Sequence, residues 1–142
     1  MRTSWLYGRG RGNFVDSIRT RAANGGTLRV VNDQFGSPTY AVDLARALAL
    51  LIGRDARGLV HFANAGVCSR FDMAREILVV GGSDASELKA ITTGEAGRIA
   101  ARPAYSALDV TRYGRLVGES PRAWQDALHD YLGTERPGAA GP

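Results

Sequence analysis

The sequence predicts an α/β fold. Short runs rich in β-branched and aromatic residues alternate with segments of helical periodicity, and glycine pairs or prolines punctuate them. At 142 residues and 44% hydrophobic content, the chain has apolar material for one modest core. No linker-like stretch or internal repeat divides it before residue 133, so residues 1–133 are expected to fold together.

Residues 2–7 are expected to form a strand ending in the glycine loop 8–12. From Asn13 to Asn24, Phe14, Val15, Ile18 and Ala22 recur at helical spacing, and Gly25-Gly26 stops the helix. Residues 28–31 read as a short strand. A loop over 32–38 follows, because Gly36 and Pro38 interrupt regular structure. Thr39 is positioned to cap a helix from Tyr40 to Ile52, with Val42, Ala45, Leu48 and Ile52 facing inward and Gly53 ending it. A strand at 58–63 comes next. Ser69-x-x-Asp72 has the spacing of a capping box and opens a helix that ends at Gly81-Gly82. Residues 88–92 are expected as a strand, 94–108 as loop, and Asp109 as the cap of a short helix. Ser120-Pro121 opens the last helix by placing proline in its first turn, with Trp124, Leu128 and Tyr131 inward. The tail 134–142 is expected to be disordered.

Composition excludes some classes of function. The net charge of +4 balances a single lysine and seventeen arginines against fourteen acidic residues, and the arginines are scattered from Arg2 to Arg136 and form no run. Such a distribution does not favour specific nucleic-acid binding, whereas a few of these arginines suit a diphosphate ligand. The longest apolar run, from Leu44 to Ile52, is broken by Arg46 and is too short to span a bilayer, so no membrane association is expected. No signal-peptide pattern is evident at the start. Cys68 stands alone, which rules out an internal disulfide and fits the reducing cytoplasm. It reads as a packing residue rather than a nucleophile. His61 and His129 lie at no metal-ligand spacing, and no metal site is expected.

Three segments carry the functional signal: Arg2-Thr3-Ser4-Trp5-Leu6-Tyr7-Gly8, then Asp33-Gln34-Phe35-Gly36-Ser37-Pro38-Thr39, then Ala101-Arg102-Pro103-Ala104-Tyr105-Ser106. Together they resemble the dTDP-4-dehydrorhamnose reductases of the extended short-chain dehydrogenase/reductase superfamily, over roughly residues 2–132 and over the C-terminal half of that family only. The resemblance implies edge strands of a Rossmann-type sheet joined to a small substrate-binding lobe. It also implies a reductase of nucleotide-sugar and cell-surface polysaccharide biosynthesis, which uses NADPH or NADH to convert dTDP-4-dehydro-L-rhamnose to dTDP-L-rhamnose.

Two features of that family are missing from this sequence. Short-chain reductases use a Tyr-x-x-x-Lys pair, but the single lysine, Lys89, has Ala85 four residues before it. The dinucleotide fingerprint needs glycines at a tight strand-to-helix turn. Gly8-Arg9-Gly10-Arg11-Gly12 has the wrong spacing and reads as a loop. No catalytic residue is therefore assigned. The chain alone is expected neither to bind the cofactor nor to reduce a ketone, and its expected partners are a dTDP-sugar and either a separate Rossmann half or a second copy. The other reading is a non-catalytic nucleotide-sugar-binding or regulatory module.

The candidate substrate-binding residues are Trp5, Asn13, Phe14, Gln34, Phe35, Arg102 and Tyr105. By resemblance Trp5 faces the sugar, the alternative being a core aromatic. Asn13 and Phe14 start a helix where free amides can meet a ligand, although Asn13 also reads as a plain cap. Gln34 can donate and accept, and Phe35 can stack, as a thymine ring requires; a simple turn is the competing reading. Arg102, held extended by Pro103, suits a diphosphate, and Tyr105 offers a hydroxyl.

Overall fold

A computed structural model describes residues 1–10, 12–97 and 100–134. Of the tail expected at 134–142, Thr134 instead ends the last helix, and residues 135–142, together with Arg11, Arg98 and Ile99 of the two expected loops, lie outside the described residues. In chain order the elements are β1 (Leu6–Tyr7), α1 (Phe14–Ala23), β2 (Leu28–Val31), β3 (Phe35–Gly36), β4 (Thr39–Tyr40), α2 (Ala41–Gly53), β5 (Cys68–Ser69), α3 (Arg70–Val80), β6 (Leu88–Ile91), α4 (Thr111–Val117) and α5 (Trp124–Thr134). The architecture is α/β, as expected. The longest ladder is parallel, with β2 beside β6 from Leu28↔Leu88 to Val31↔Ile91. β1 runs parallel to β4, and β3 pairs antiparallel with β5 through Phe35↔Ser69 and Gly36↔Cys68.

Helices with strong local signals form where they are expected. Asn13 caps α1, its side-chain oxygen accepting from the Asp16 amide. Ser69 and Asp72 form the reciprocal capping box of α3, which ends at Gly81. Near α4, Asp109 Oδ1 accepts from the Thr111 amide at 2.8 Å, one residue ahead of the Val110 cap position.

Other elements differ from expectation, each because a tertiary contact outweighs the local pattern. The strand expected at 2–7 is interrupted at Trp5, whose φ is 46°, and only Leu6 and Tyr7 extend β4. The strand expected at 58–63 is reduced to one parallel bridge between Arg2 and His61, made by Arg2 N–H to Val60 O and Phe62 N–H to Arg2 O, both at 2.9 Å. A ladder needs successive backbone groups, and after Arg2 the chain turns instead toward the 37–39 segment. There the Ser4 hydroxyl donates to Ser37 O at 2.7 Å. The expected 32–38 loop contains β3. Thr39 is not a helix cap: it is fully buried in β4, its hydroxyl donates to Ser4 O, and Tyr40 occupies the cap position without a side-chain cap bond. α5 begins at Trp124 rather than at Pro121. Ala65 and Ala123 form a bridge that holds residues 122–124 extended, with Ala65 N–H bonded to Arg122 O and Trp124 N–H to Ala65 O.

The buried face of α2 is also rotated from the expected one. Asp43, Ala47 and Leu51 point inward, whereas Val42, Leu48 and Ile52 are exposed. In a helix so rich in alanine and leucine, apolar periodicity does not discriminate between adjacent faces. A buried carboxylate decides the matter. Arg122 approaches Asp43 with two hydrogen bonds, at 2.8 and 3.0 Å, and Asn64 Nδ2 adds a third at 2.7 Å. Ala47 and Leu51 then pack with Val60, Phe62, Tyr113 and Val117 in one core cluster.

The larger core lies between α1, α3, α5 and the β2–β6 ladder. Val15, Ile18, Met73, Ile77, Leu128 and Tyr131 are almost inaccessible there. At its centre three tyrosines meet: Tyr7 stacks on Tyr40 with centroids 5.6 Å apart, and Tyr131 meets both edge-on. This aromatic joint holds β1, the β4–α2 junction and α5 together.

Candidate functional site

Trp5, expected at the carboxyl end of the first strand, instead stands just before β1, and it meets Gln34, which follows the carboxyl end of β2, across one cleft. This cleft, of about 640 Å³, is lined by Ser4, Trp5, Phe14, Gln34, Arg70 and Arg102, with Arg21, Arg29, Val30, Val31, Ile91, Ala96, Pro103 and Ser106 completing its walls. Among the described residues its lining holds four arginines and no acidic side chain. It is electrostatically suited to an anion.

Trp5 is held in the left-handed region, which costs a bulky residue on the order of 1 kcal/mol. The turn is fixed from both sides: the Thr39 amide donates to Trp5 O at 3.2 Å, and the Thr39 hydroxyl to Ser4 O at 2.7 Å. The result is an indole turned into the cleft rather than left in line with β1. Gly36 makes room for it, since a Cβ at position 36 would stand 2.4 Å from Trp5 Cε2. On the ring itself lies the Arg70 guanidinium, 3.7 Å from the centroid and 5.0 Å from the centroid of Phe14.

Gln34 is buried, with Nε2 donating to the Thr93 hydroxyl at 2.9 Å, and its backbone carbonyl accepts from the Arg70 amide at 3.2 Å. The same Thr93 binds the neighbouring Asp33 carboxylate through its amide, at 2.8 and 3.0 Å, and its hydroxyl, at 2.7 Å. These bonds hold the Asp33 carboxyl below the ordinary carboxylate range. Residues 104–106 are tied to β3, with Phe35 N–H donating to Ala104 O at 2.7 Å and Ser106 N–H to Phe35 O at 2.8 Å. This pairing carries Arg102 and Pro103 over the cleft.

Trp5, Phe14, Gln34 and Arg102 thus come together, and three candidates stand apart. The Asn13 amide is engaged inside the fold, donating to Gly8 O, Asp16 Oδ2 and Tyr131 Oη at 2.7–3.1 Å. Phe35 and Tyr105 bridge one another on the outer side of the β3 segment and remain exposed, outside the cleft lining. Sequence reasoning missed Arg70, Arg21, Arg29 and Ser4. Arg29 had a visible signal, because it is the outward position of the otherwise buried strand Leu28–Val31. Arg70 had none beyond following the capping serine, since only the β3–β5 pairing brings it to Trp5.

Cys68 lies beneath this floor. Burial first, and then the nearby Asp72 carboxylate, push its thiol up to about 12, while Arg70 acts weakly in the opposite sense. A raised thiol stays protonated at neutral pH, so at pH 8 its alkylation by iodoacetamide should be about a thousandfold slower in the folded chain than in the denatured one. Mass spectrometry after brief labelling checks this; comparable labelling of the two states would show that Cys68 is accessible as a thiolate. Among the described residues no cluster of His, Cys, Asp and Glu is placed to hold a metal ion, and no helix is long and apolar enough to cross a membrane.

The family model for the RmlD substrate binding domain matches residues 1–136. The chain is 42% identical to the spore coat polysaccharide biosynthesis protein SpsK of Bacillus subtilis, covering 93% of this chain and 46% of that protein. It is 44% identical to dTDP-4-dehydrorhamnose reductase of Mycobacterium tuberculosis, covering 90% of this chain and 43% of the reductase. It therefore spans a little under half the length of these curated relatives. Among solved structures, dTDP-4-dehydrorhamnose reductase of Bacillus anthracis in complex with NADP superposes with a TM-score of 0.88 at 34% identity, over 94% of this chain and 47% of that one. The resemblance carried by the Trp5, Gln34 and Arg102 segments is thus matched by similarity along nearly the whole chain. The protein belongs to the RmlD substrate binding domain family.

Proposed function

We propose that residues 1–133 are the substrate-binding portion of a dTDP-4-dehydrorhamnose reductase, and that the arginine-lined cleft holds the nucleotide sugar. The observation that carries this reading is the convergence of Trp5, Gln34 and Arg102, from three distant segments, on one cleft free of acidic lining among the described residues. An indole offers a flat face to a deoxyhexose, the Gln34 amide offers a donor and an acceptor to a pyrimidine edge, and a guanidinium can bridge two phosphate oxygens. Phe35 and Tyr105 stand outside this cleft, and Asn13 acts indirectly, by capping the helix that carries Phe14.

The residues present do not fit the nicotinamide cofactor that the Bacillus anthracis relative binds. Lys89 lies on strand β6, not on a helix, and Ala85 stands four residues before it. Gly8 is used for packing against α2, where an added Cβ would stand 2.6 Å from the Ala41 methyl, and Gly8-Arg9-Gly10-Arg11-Gly12 lacks the G-x-G-x-x-G spacing of a dinucleotide fingerprint. In this reading the chain binds and orients the substrate, while hydride transfer belongs to a Rossmann half carried elsewhere. The lone bridge between Arg2 and His61 marks the edge that such a half would extend. A non-catalytic nucleotide-sugar module is the second reading, favoured by the same missing Tyr-x-x-x-Lys pair.

The test is ligand selectivity. dTDP-rhamnose should perturb amide resonances of Trp5, Gln34 and the 102–106 segment. Arg102→Ala should weaken dTDP about tenfold while leaving thymidine within about twofold, because only the diphosphate loses a charge-assisted contact. Equal loss for both ligands would remove Arg102 from the phosphates.

A further inference from the structure

The Arg70 guanidinium carbon lies over the Trp5 ring, 3.7 Å from its centroid, and 5.0 Å from the centroid of Phe14. Stacking leaves the in-plane N–H donors of a guanidinium directed outward along its edge, because ring contact uses the face and hydrogen bonding uses the rim. Arg70 lines the cleft together with Arg102, and its own backbone amide is bonded to Gln34 O at 3.2 Å. Its backbone is thus fixed to the loop that carries Gln34, and its head is fixed by two aromatic rings. A side chain immobilised before ligand arrives loses less rotamer freedom on binding, and this preorganisation adds affinity.

We propose that Arg70 is a specificity-determining residue of the cleft, a stacked guanidinium that grips the anionic part of the ligand alongside Arg102 and sets the orientation of the Trp5 indole beside it. This rests on the nucleotide-sugar reading for the identity of the ligand, but not for the anion contact itself. Arg70 therefore couples two halves of recognition: the charge of the diphosphate and the aromatic face offered to the sugar. Lysine cannot substitute for it fully, since an ammonium supplies charge without the planar face or the fork.

The experiment titrates the 142-residue chain and its variants with inorganic pyrophosphate, dTDP and thymidine, following the Arg70 Nε–Hε resonance and the Trp5 indole resonance. For the unmodified chain, pyrophosphate and dTDP should both shift the Arg70 signal, and thymidine should not. Arg70→Gln, which keeps a planar amide but no charge, should weaken pyrophosphate and dTDP about tenfold and leave thymidine within about twofold. Arg70→Lys should recover only part of that loss and leave the Trp5 resonance displaced. Retained amide dispersion around the buried Trp124 serves as the check that each variant is folded; should Arg70→Gln fail it, the Nε–Hε response of the unmodified chain decides alone. Unchanged dTDP affinity in folded Arg70→Gln, or an Arg70 signal unmoved by pyrophosphate, overturns the proposal while leaving the nucleotide reading intact. Pyrophosphate binding through Arg70 with no gain for dTDP overturns the nucleotide reading and leaves Arg70 as an anion site.

Discussion

Asp43→Ala is expected to destabilise the fold by about 3 kcal/mol, a large share of the stability of a small domain. The Asp43 carboxylate is buried and accepts two hydrogen bonds from Arg122 and one from Asn64, while Arg46 lies 3.7 Å away. Removing it strands the Asn64 amide, which is 1% exposed, and an unsatisfied buried amide costs about 1–3 kcal/mol. The same Asn64 accepts from the Tyr40 amide at 2.8 Å, so the disturbance reaches the junction of β4 and α2. Arg122 suffers less: about a third of its side chain is exposed, and it keeps its ion pair with Asp130. Asp43→Asn should lose less than Asp43→Ala, because a carbonyl oxygen still accepts from Asn64. Urea unfolding of the three proteins measures the order. A loss below about 1 kcal/mol for Asp43→Ala would show that this network does not hold α2 to the start of α5.

The second large effect is an absence of turnover. Supplied with dTDP-4-dehydro-L-rhamnose and NADPH or NADH, the chain alone should oxidise no cofactor above a heat-inactivated sample. Proton transfer to the developing C4 alkoxide needs a phenol whose pKa is lowered by a nearby cation, and the local chemistry runs the other way. Tyr7 is buried with its hydroxyl unpartnered among the described residues, and desolvation drives its pKa upward. Lys89 lies on strand β6 opposite Arg29, and Ala85, not a tyrosine, stands four residues before it. Adding a Rossmann half that carries both the Tyr-x-x-x-Lys pair and the dinucleotide fingerprint should restore reduction, and Arg102→Ala should lower the restored rate at limiting substrate. Measurable reduction by the chain alone would show that an acid and a cofactor site exist within residues that lack both motifs.

How much could be read in advance depended on the range of the interactions involved. The starts of α1 and α3 were legible because Asn13 and Ser69-x-x-Asp72 satisfy helix amides within three residues, which any linear reading can see. The inward face of α2 was not, because its determinant, Asp43, pairs with Arg122 far along the chain, and a charged residue is normally assigned to solvent. The start of α5 was misplaced for a similar reason: Pro121 is compatible with a first turn, but the bridge from Ala65 to Ala123 keeps that segment extended.

The site divides along the same line. The sequence by itself determined the family, through the ordered residues of three segments, and with it the candidacy of Trp5, Gln34 and Arg102. It also determined the missing Tyr-x-x-x-Lys pair, since one lysine and its neighbours can be inspected directly. Only the tertiary structure decided which candidates share a cleft, that the Asn13 side-chain nitrogen is engaged by Gly8, Asp16 and Tyr131, and that Phe35 and Tyr105 turn outward. Only it placed Arg70 on Trp5. The physical reason is that capping and composition act within a few residues. Stacking a guanidinium on an indole 65 positions away requires the β3–β5 pairing and the Trp5 turn to form first, and neither leaves a periodic trace in the chain.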